Sequence, residues 1–294
     1  MNKYFEIIKS SYSDYWNYMK QSVLMELNWE NYFYGLIIIS LVVWGLEIIF
    51  PWRKNQSIIR KDFWLDTFYM FFNFFLLNLI VLIALSNSAE LFFNDILGFI
   101  GLSVSNFQLF DINTFPYWIR ILAFFIIIDF VQWFTHTLLH KYEFLWNFHK
   151  VHHSVKEMGF AAHLRYHWME PVVYNSMKYI PLAIMGGFTA QDVAIVHFFN
   201  ITIGHLNHAN INWDYGYLKY IFNNPKMHIW HHAKELPEER KNGVNFGITL
   251  SIWDYIFKTN YIPYSGKDIE LGFKDDESFP KNFIGQELYP INKK

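Results

Sequence analysis

Cysteine is absent from the 294-residue sequence. This absence excludes disulfide bonds, zinc–thiolate sites and iron–sulfur clusters, so any metal must be held by histidine, aspartate or glutamate. Charged residues are also scarce, at 17%, and the net charge is −2. With no long basic patch, the sequence offers no surface for nucleic acid. There is no GxGxxG after a strand-like run and no P-loop, so a redox enzyme with this sequence would take its electrons from another protein.

Hydrophobic residues are abundant instead, at 53%, and aromatic residues reach 21%. This composition predicts an all-α integral membrane bundle. Apolar runs over 31–50, 67–85 and 117–135 have the length of membrane-spanning helices. A further apolar hairpin over 171–204 has short arms, because Lys178 and Asp192 interrupt them. The sequence therefore predicts about four spans, or three spans plus a re-entrant hairpin.

The positions of the basic residues predict the orientation in the membrane. Arg53, Lys54, Arg60 and Lys61 follow the first apolar run, whereas the segment 86–116 contains acidic residues and no lysine or arginine. The positive-inside rule then places the 53–61 loop in the cytoplasm. The third span consequently runs inward and brings the histidine-rich segment that begins at His136 to the cytoplasmic face.

Four regions follow from this pattern. Residues 1–30 are predicted to form an amphipathic segment at the membrane interface. Residues 31–128 hold transmembrane helices, 129–260 hold the metal-binding domain with its membrane hairpin, and 261–294 are expected to form a soluble C-terminal tail.

Histidine carries the chemistry of this sequence. Five of the 13 histidines lie in HTLLHKYEFLWNFHKVHH, and a second HxxHH triplet occurs in HIWHH. Histidines three or four residues apart share one face of a helix, where neutral imidazoles can bind a metal ion. The three motifs supply eight candidate ligands: His136, His140, His149, His152, His153, His228, His231 and His232.

Five other histidines lie between the second and third motifs. His167 and His208 are favoured as additional ligands, with His163 and His205 as plausible substitutes, while His197 in the apolar hairpin is expected to be structural. Eight to ten histidines exceed the coordination number of one ion, so two ions are implied. The residues alone are compatible with iron or zinc.

Some polar side chains are candidates for orienting these ligands. Asp129 lies on the same helical stripe as His136 and His140, although a polar contact between helices is the alternative. Arg165 and Glu170 flank His167 and are expected to form a pair, either beside the ligands or as a surface ion pair of little energetic value.

The motifs occur in an order that resembles the fatty acid hydroxylase/sterol desaturase superfamily. HxxxH, HxxHH, RYHWMEP, HANINW, HIWHH and NFGITLSIWDYIFKT follow one another between Asp129 and Pro263. The HAN, NNPKMHIWHH and LSIWD phrases look most like those of the small prokaryotic members of the superfamily. Asn210 and Asp254 fall within the matching HAN and LSIWD phrases and are candidate orienting residues; Trp253 is either part of this motif or an interface anchor.

The resemblance implies a histidine-bound di-iron centre, with zinc possible in purified protein. It also implies an O2-dependent hydroxylase or desaturase acting on a fatty acyl, sterol or ether lipid. A cytochrome b5 HPGG motif is missing, so a separate cytochrome b5-like or ferredoxin-like donor is expected. The alternatives are a metal-dependent membrane hydrolase and a metal transport or storage protein.

Overall fold

The computed structural model describes residues 2–24, 31–109, 111–186 and 188–291. Within them the regular structure is helical, and β-pairing is limited to three isolated bridges. The α-helices are α1 (Asn2–Leu24), α2 (Tyr32–Ile49), α3 (Phe63–Phe71), α4 (Ile83–Phe99), α5 (Tyr117–Lys141), α6 (Glu143–His153), α7 (Met169–Met185), α8 (Ala190–His208), α9 (Pro225–His231), α10 (Ile252–Ile256) and α11 (Phe283–Glu287).

Three helical stretches are long and apolar enough to cross a membrane: Tyr32–Ile49, Phe63–Ile80 and Tyr117–Lys141. They correspond to the three apolar runs of the sequence, and the predicted multi-pass helical membrane bundle is confirmed. The hairpin helices α7 and α8 are not among the candidate spans.

The second span is part of a helix much longer than its apolar run. α3 continues through two π-helical segments, Phe72–Leu76 and Asn78–Leu82, directly into α4. No proline or glycine interrupts residues 63–97, so the chain has no local reason to leave the helix at residue 85. Residues 86–99, expected to lie in a connecting segment, are therefore helical.

The amino-terminal helix α1 packs antiparallel along this long helix. The Tyr12 hydroxyl donates to the carbonyl of Ile80 at 2.7 Å, and Lys3 pairs with Asp95 at 2.5 Å. The interfacial segment predicted over 1–30 lies partly outside the described residues, which exclude 1 and 25–30. Its described part forms one wall of the bundle.

The carboxy-terminal segment folds back onto the helices. The ring of Phe283 in α11 contacts the rings of Phe68 and Phe72, with centroids 4.8 and 4.7 Å apart. The Tyr69 hydroxyl donates to Oε1 of Gln286 at 3.0 Å. The part of the predicted soluble tail that forms α11 therefore packs against the long helix. Residues 292–294 of that tail lie outside the described part.

The ends of helices α5, α6, α8 and α9 bring the histidine motifs together. α5 ends at Lys141 and α6 begins two residues later, so the first two motifs face each other across a tight corner. α8 ends at His208, beside the corner. α9 begins at Pro225, with the Asn224 side chain accepting from the Met227 amide at 3.0 Å. This cap and the proline fix where the third motif starts.

Candidate metal centre

Nine histidines form two buried clusters at this corner. In each cluster, one nitrogen from every ring lies within 4.8 Å of the others. The five-histidine cluster contains His136, His140, His149, His153 and His231. The four-histidine cluster contains His152, His208, His228 and His232. The clusters adjoin, because the rings of His153 and His232 stack with their centroids 4.5 Å apart.

Each HxxHH triplet is divided between the clusters. In α6, His149 and His153 belong to the five-histidine cluster, while His152 belongs to the other. The third motif is divided in the opposite sense, since only its His231 joins the five-histidine cluster. Neighbouring side chains on a helix point about 100° apart, so adjacent histidines diverge toward separate sites.

Backbone carbonyls hold four of these rings in one orientation. In each case the ring Nδ1–H donates to a carbonyl oxygen. The four pairs are His136 to Phe246 (2.8 Å), His152 to Arg165 (3.1 Å), His208 to Gly204 (2.8 Å) and His231 to Val244 (2.8 Å). A carbonyl can only accept, so Nδ1 carries the proton and Nε2 presents a lone pair. All four lone pairs are therefore available to a cation.

Lone pairs face one another inside the clusters. His152 and His208 both have Nδ1 bonded to a carbonyl, yet their Nε2 atoms are 3.3 Å apart. The Nε2 atoms of His136 and His149 are 3.0 Å apart, and those of His153 and His231 are 3.1 Å apart. Two acceptor lone pairs repel unless a cation or proton lies between them.

The low basicity of the rings disfavours a proton as that cation. Burial, reinforced by repulsion from neighbouring imidazoles, holds the pKa values of His153, His228, His231 and His232 well below the ordinary range. Burial also lowers the pKa of His152 to about 3. The rings are therefore neutral near pH 7, which is the form that binds metals.

The spacing and the unpaired atoms fit metal ions. Two nitrogens bound to one ion at about 2.1 Å lie roughly 3.0–3.4 Å apart at octahedral or tetrahedral angles, close to the separations seen in both clusters. In addition, Nε2 of His140 and Nδ1 of His232 are buried without a hydrogen-bond partner. Both clusters could therefore hold a metal ion.

Nine of the ten predicted ligands lie in the clusters, and His167 does not. Its Nε2–H donates to Glu287 O at 2.9 Å, and its Nδ1 accepts from the Met169 amide at 3.1 Å. Neither nitrogen has a free lone pair for a metal, so the structure does not support the prediction of His167 as a ligand.

The remaining histidines lie outside the clusters. Nδ1 of His163 is 2.9 Å from Nδ1 of His205, whose Nε2 is 3.1 Å from the hydroxyl of Ser40. The His197 ring packs at tilted angles against the rings of Tyr32 and Phe74. His163 and His205 thus form a pair beside the four-histidine cluster instead of replacing one of its members.

Two of the predicted orienting residues contact a clustered histidine directly. A carboxyl oxygen of Glu170 lies 2.9 Å from Nδ1 of His149. Arg165 acts through its carbonyl, which accepts from His152, while its side chain pairs with Asp66 at 3.0 Å. The expected pairing of Arg165 with Glu170 is therefore not present.

The other three candidates are further from the ligands. The Asp254 carboxylate accepts from the Phe246 amide at 2.8 Å and so supports the residue whose carbonyl holds His136. Asp129 accepts from the Trp253 indole at 2.8 Å, which is the alternative helix contact. Asn210 bonds to the backbone of Arg53 and contacts no clustered histidine in the described structure.

Sequence reasoning missed the backbone that supports the ligands. Val244 directly precedes the NFG phrase and Phe246 lies within it. The phrase was visible in the sequence, but the hydrogen bonds that these two backbone carbonyls accept from His231 and His136 were not. Gly204 was not identified either, although a Cβ atom there would lie 2.2 Å from the His163 ring and its carbonyl holds His208. The small residue lets α8 approach this ring.

A cavity of about 880 Å³ reaches the clusters from within the bundle. His136, His152 and His208 line one end, and Leu182 and Val193 from the hairpin line the other part of its wall. Aliphatic and aromatic side chains dominate between them. This volume is in the range of sites that enclose small organic molecules.

Residues 121–259 match the family described as fatty acid hydroxylase. The ornithine lipid hydroxylase OlsE of Rhizobium tropici is 30% identical over 172 residues, covering 58% of this chain and 49% of that protein. The alkylglycerol monooxygenase of Homo sapiens is 30% identical over 156 residues, covering 52% and 33%. That of Caenorhabditis elegans is 27% identical over 132 residues, covering 45% and 25%.

These alignments span half or less of each relative's length. No solved structure matches the chain significantly. The matched segment contains all nine clustered histidines and the hairpin.

Proposed function

We propose, from the similarity of residues 121–259 to the fatty acid hydroxylase family and to lipid hydroxylases, that this chain belongs to the fatty acid hydroxylase/sterol desaturase superfamily and is a membrane di-iron oxygenase. It would use O2 and external electrons to hydroxylate or desaturate a C–H bond of a lipid. The observation that carries the proposal is the pair of adjoining imidazole clusters with lone pairs facing each other at 3.0–3.3 Å. An apolar cavity reaches these clusters.

Nine histidines are the proposed ligands, five for one ion and four for the other. Iron bound there would supply the activation of O2 and the removal of hydrogen from an unactivated C–H bond. Zinc would fill the same nitrogen donors in protein purified without iron. The protein's own contribution is to orient five of the nine rings: four donate to backbone carbonyls, and His149 lies against the Glu170 carboxyl group.

Glu170 holds His149 in position, and Asp254 supports the Phe246 carbonyl that holds His136. We propose that both are orienting residues, together with Arg165 through its carbonyl. Asp129 and Asn210 maintain the packing of the surrounding segments. The mostly apolar lining of the cavity would disfavour water around a bound lipid chain.

The electron donor is proposed to be a separate cytochrome b5-like or ferredoxin-like protein. The clusters are proposed to face the cytoplasm, because the basic 53–61 loop contacts the segment that follows the second histidine motif: the side-chain amide of Gln56 donates to Met158 O at 2.7 Å. A reporter fused near Lys61 tests this orientation.

The decisive test is anaerobic purification in mild detergent with metal analysis per chain. We expect about two iron ions per chain, coupled in the Mössbauer spectrum of iron-57-grown protein. Lipids from expressing cells should gain one oxygen or lose two hydrogens, depending on O2. Two zinc ions from iron-replete cells with O2-independent activity would favour a hydrolase, and ion flux in liposomes would favour transport.

A further inference from the structure

The cavity contains one cation that the proposed chemistry does not use. Of the described residues that line it, Lys178 and Glu170 are the ones with charged side chains. Glu170 is already engaged by His149 at the histidine end. Among the described lining residues, Lys178 is therefore the charged side chain without an assigned role, and the rest of the lining is apolar or polar but uncharged.

Lys178 lies on the face of α7 that lines the cavity. The same face of α7 also contributes Pro171, Tyr174 and Leu182 to the cavity lining, and with Lys178 these residues have the spacing of one helical stripe. Lys178 is eight residues beyond Glu170, which corresponds to roughly 12 Å along the helix axis. The cation is therefore held at a defined distance from the histidine clusters.

No acidic side chain in the described structure pairs with Lys178. Its ammonium lies 5.9 Å from the centroid of the Tyr174 ring, and its electrostatic neighbour across the cavity is His197, itself a base. An ammonium group in low-dielectric surroundings without a counter-ion is costly. An anion bound from outside would offset that cost.

We propose that Lys178 binds the carboxylate or phosphate of an acyl lipid, and that this anchor sets which carbon reaches the metal centre. The proposal rests on the oxygenase function proposed above. The oxidised carbon would lie roughly 12 Å from the anionic group, because that is the axial separation between Lys178 and the residue beside His149. Lys178 is thus a specificity-determining residue, and the substrate class is an anionic single-chain or acyl lipid.

Binding of cis-parinaric acid, followed by its fluorescence on the detergent-purified full-length protein, tests the anchor without turnover. We expect wild-type protein to prefer the acid over its methyl ester by about tenfold or more, since charge-assisted hydrogen bonds are the stronger class. Lys178→Met should lose that preference while keeping its affinity for the ester. Lys178→Arg should restore it.

Competition distinguishes the two anions. Palmitic acid displacing the probe more effectively than lysophosphatidic acid indicates a carboxylate, and the reverse indicates a phosphate. The matched control is Lys267→Met, an exposed lysine outside the cavity. Equal metal content in all variants establishes that they are folded.

An acid preference that is absent in wild type, or that survives in Lys178→Met, overturns the proposal. Its failure is distinct from failure of the oxygenase function. A protein that holds two coupled irons and oxidises lipids, but binds acid and ester alike, loses only the anchor. A protein that binds the acid through Lys178 but lacks iron and O2 dependence keeps the anchor and loses the oxygenase.

Discussion

The division of the HxxHH triplets predicts that adjacent histidines control different metal ions. His231 and His232 are neighbours in sequence and equally buried, but His231 belongs to the five-histidine cluster and His232 to the four-histidine cluster. Replacing each by alanine leaves four donors in the first case and three in the second. Each variant should therefore lose one ion and retain the other.

The magnitude follows from the role of the removed group. Loss of a hydrogen-bonded partner of a ligand typically weakens metal affinity about 10- to 100-fold, so loss of the ligand itself should cost on the order of 100-fold or more. Where metal is near saturation, a hundredfold loss of affinity removes about 2.7 kcal/mol of metal-linked stability. His232→Ala should show the larger effect, because its cluster begins with fewer donors.

The assay is metal content per chain with Mössbauer spectra of iron-57-grown protein. We expect about one ion per chain in each single variant, with the spectrum of an isolated iron, and none in the double variant. His205→Ala is the matched control, since His205 is fully buried nearby but belongs to neither cluster. Loss of both ions from both single variants, or loss of metal from the His205 control, would refute the assignment.

Three further predictions concern the surroundings of the clusters. Glu170→Gln should lower the affinity of the five-histidine cluster for its ion by about tenfold in chelator competition, because a neutral amide orients His149 less strongly. An unchanged affinity would show that Glu170 does not orient this ring. Burial raises the pKa of Glu287 from 4.5 to about 7. The docked segment therefore favours the protonated carboxyl, and docking should be strongest below pH 4.5 and weaken by on the order of 3 kcal/mol as the pH rises from 4.5 to 7. Hydrogen exchange of this segment should follow that trend in wild type, and the trend should flatten in Glu287→Gln. Gly204→Ala should lower the melting temperature by forcing ring movement, whereas Gly45→Ala, with open space around its Cβ position, should not; equal shifts would contradict the packing argument.

The ligand types were readable from the sequence because histidine spacing is a local property. A repeat of three and four residues places imidazoles on one side of a helix wherever that helix packs. The same geometry separates His152 from His153 by about 100°, so the division of the triplet followed from helix geometry. Which cluster each half joins depends on how α6 and α9 face each other, and that is a tertiary property.

His167 shows why a local phrase can mislead. Its two nitrogens are occupied by the amide of Met169 and by the carbonyl of Glu287, which lies 120 residues away in sequence. No spacing rule reveals a partner at that distance. The extent of the long helix was similarly underestimated, because the end of an apolar run was treated as the end of a helix although no residue there interrupts one.

The two π-helical segments give the long helix a property that its amino acids alone do not suggest. Each wider turn holds an extra residue, and both segments line the cavity with Asn73, Phe74, Phe75 and Asn78. Deleting one residue there would let the backbone return to regular α-helical bonding. The remainder of the helix would then rotate by about 100° relative to α1. A shorter chain with a more regular helix would thus lose the alignment of its cavity wall, so in this protein the irregular turns preserve the shape of the site.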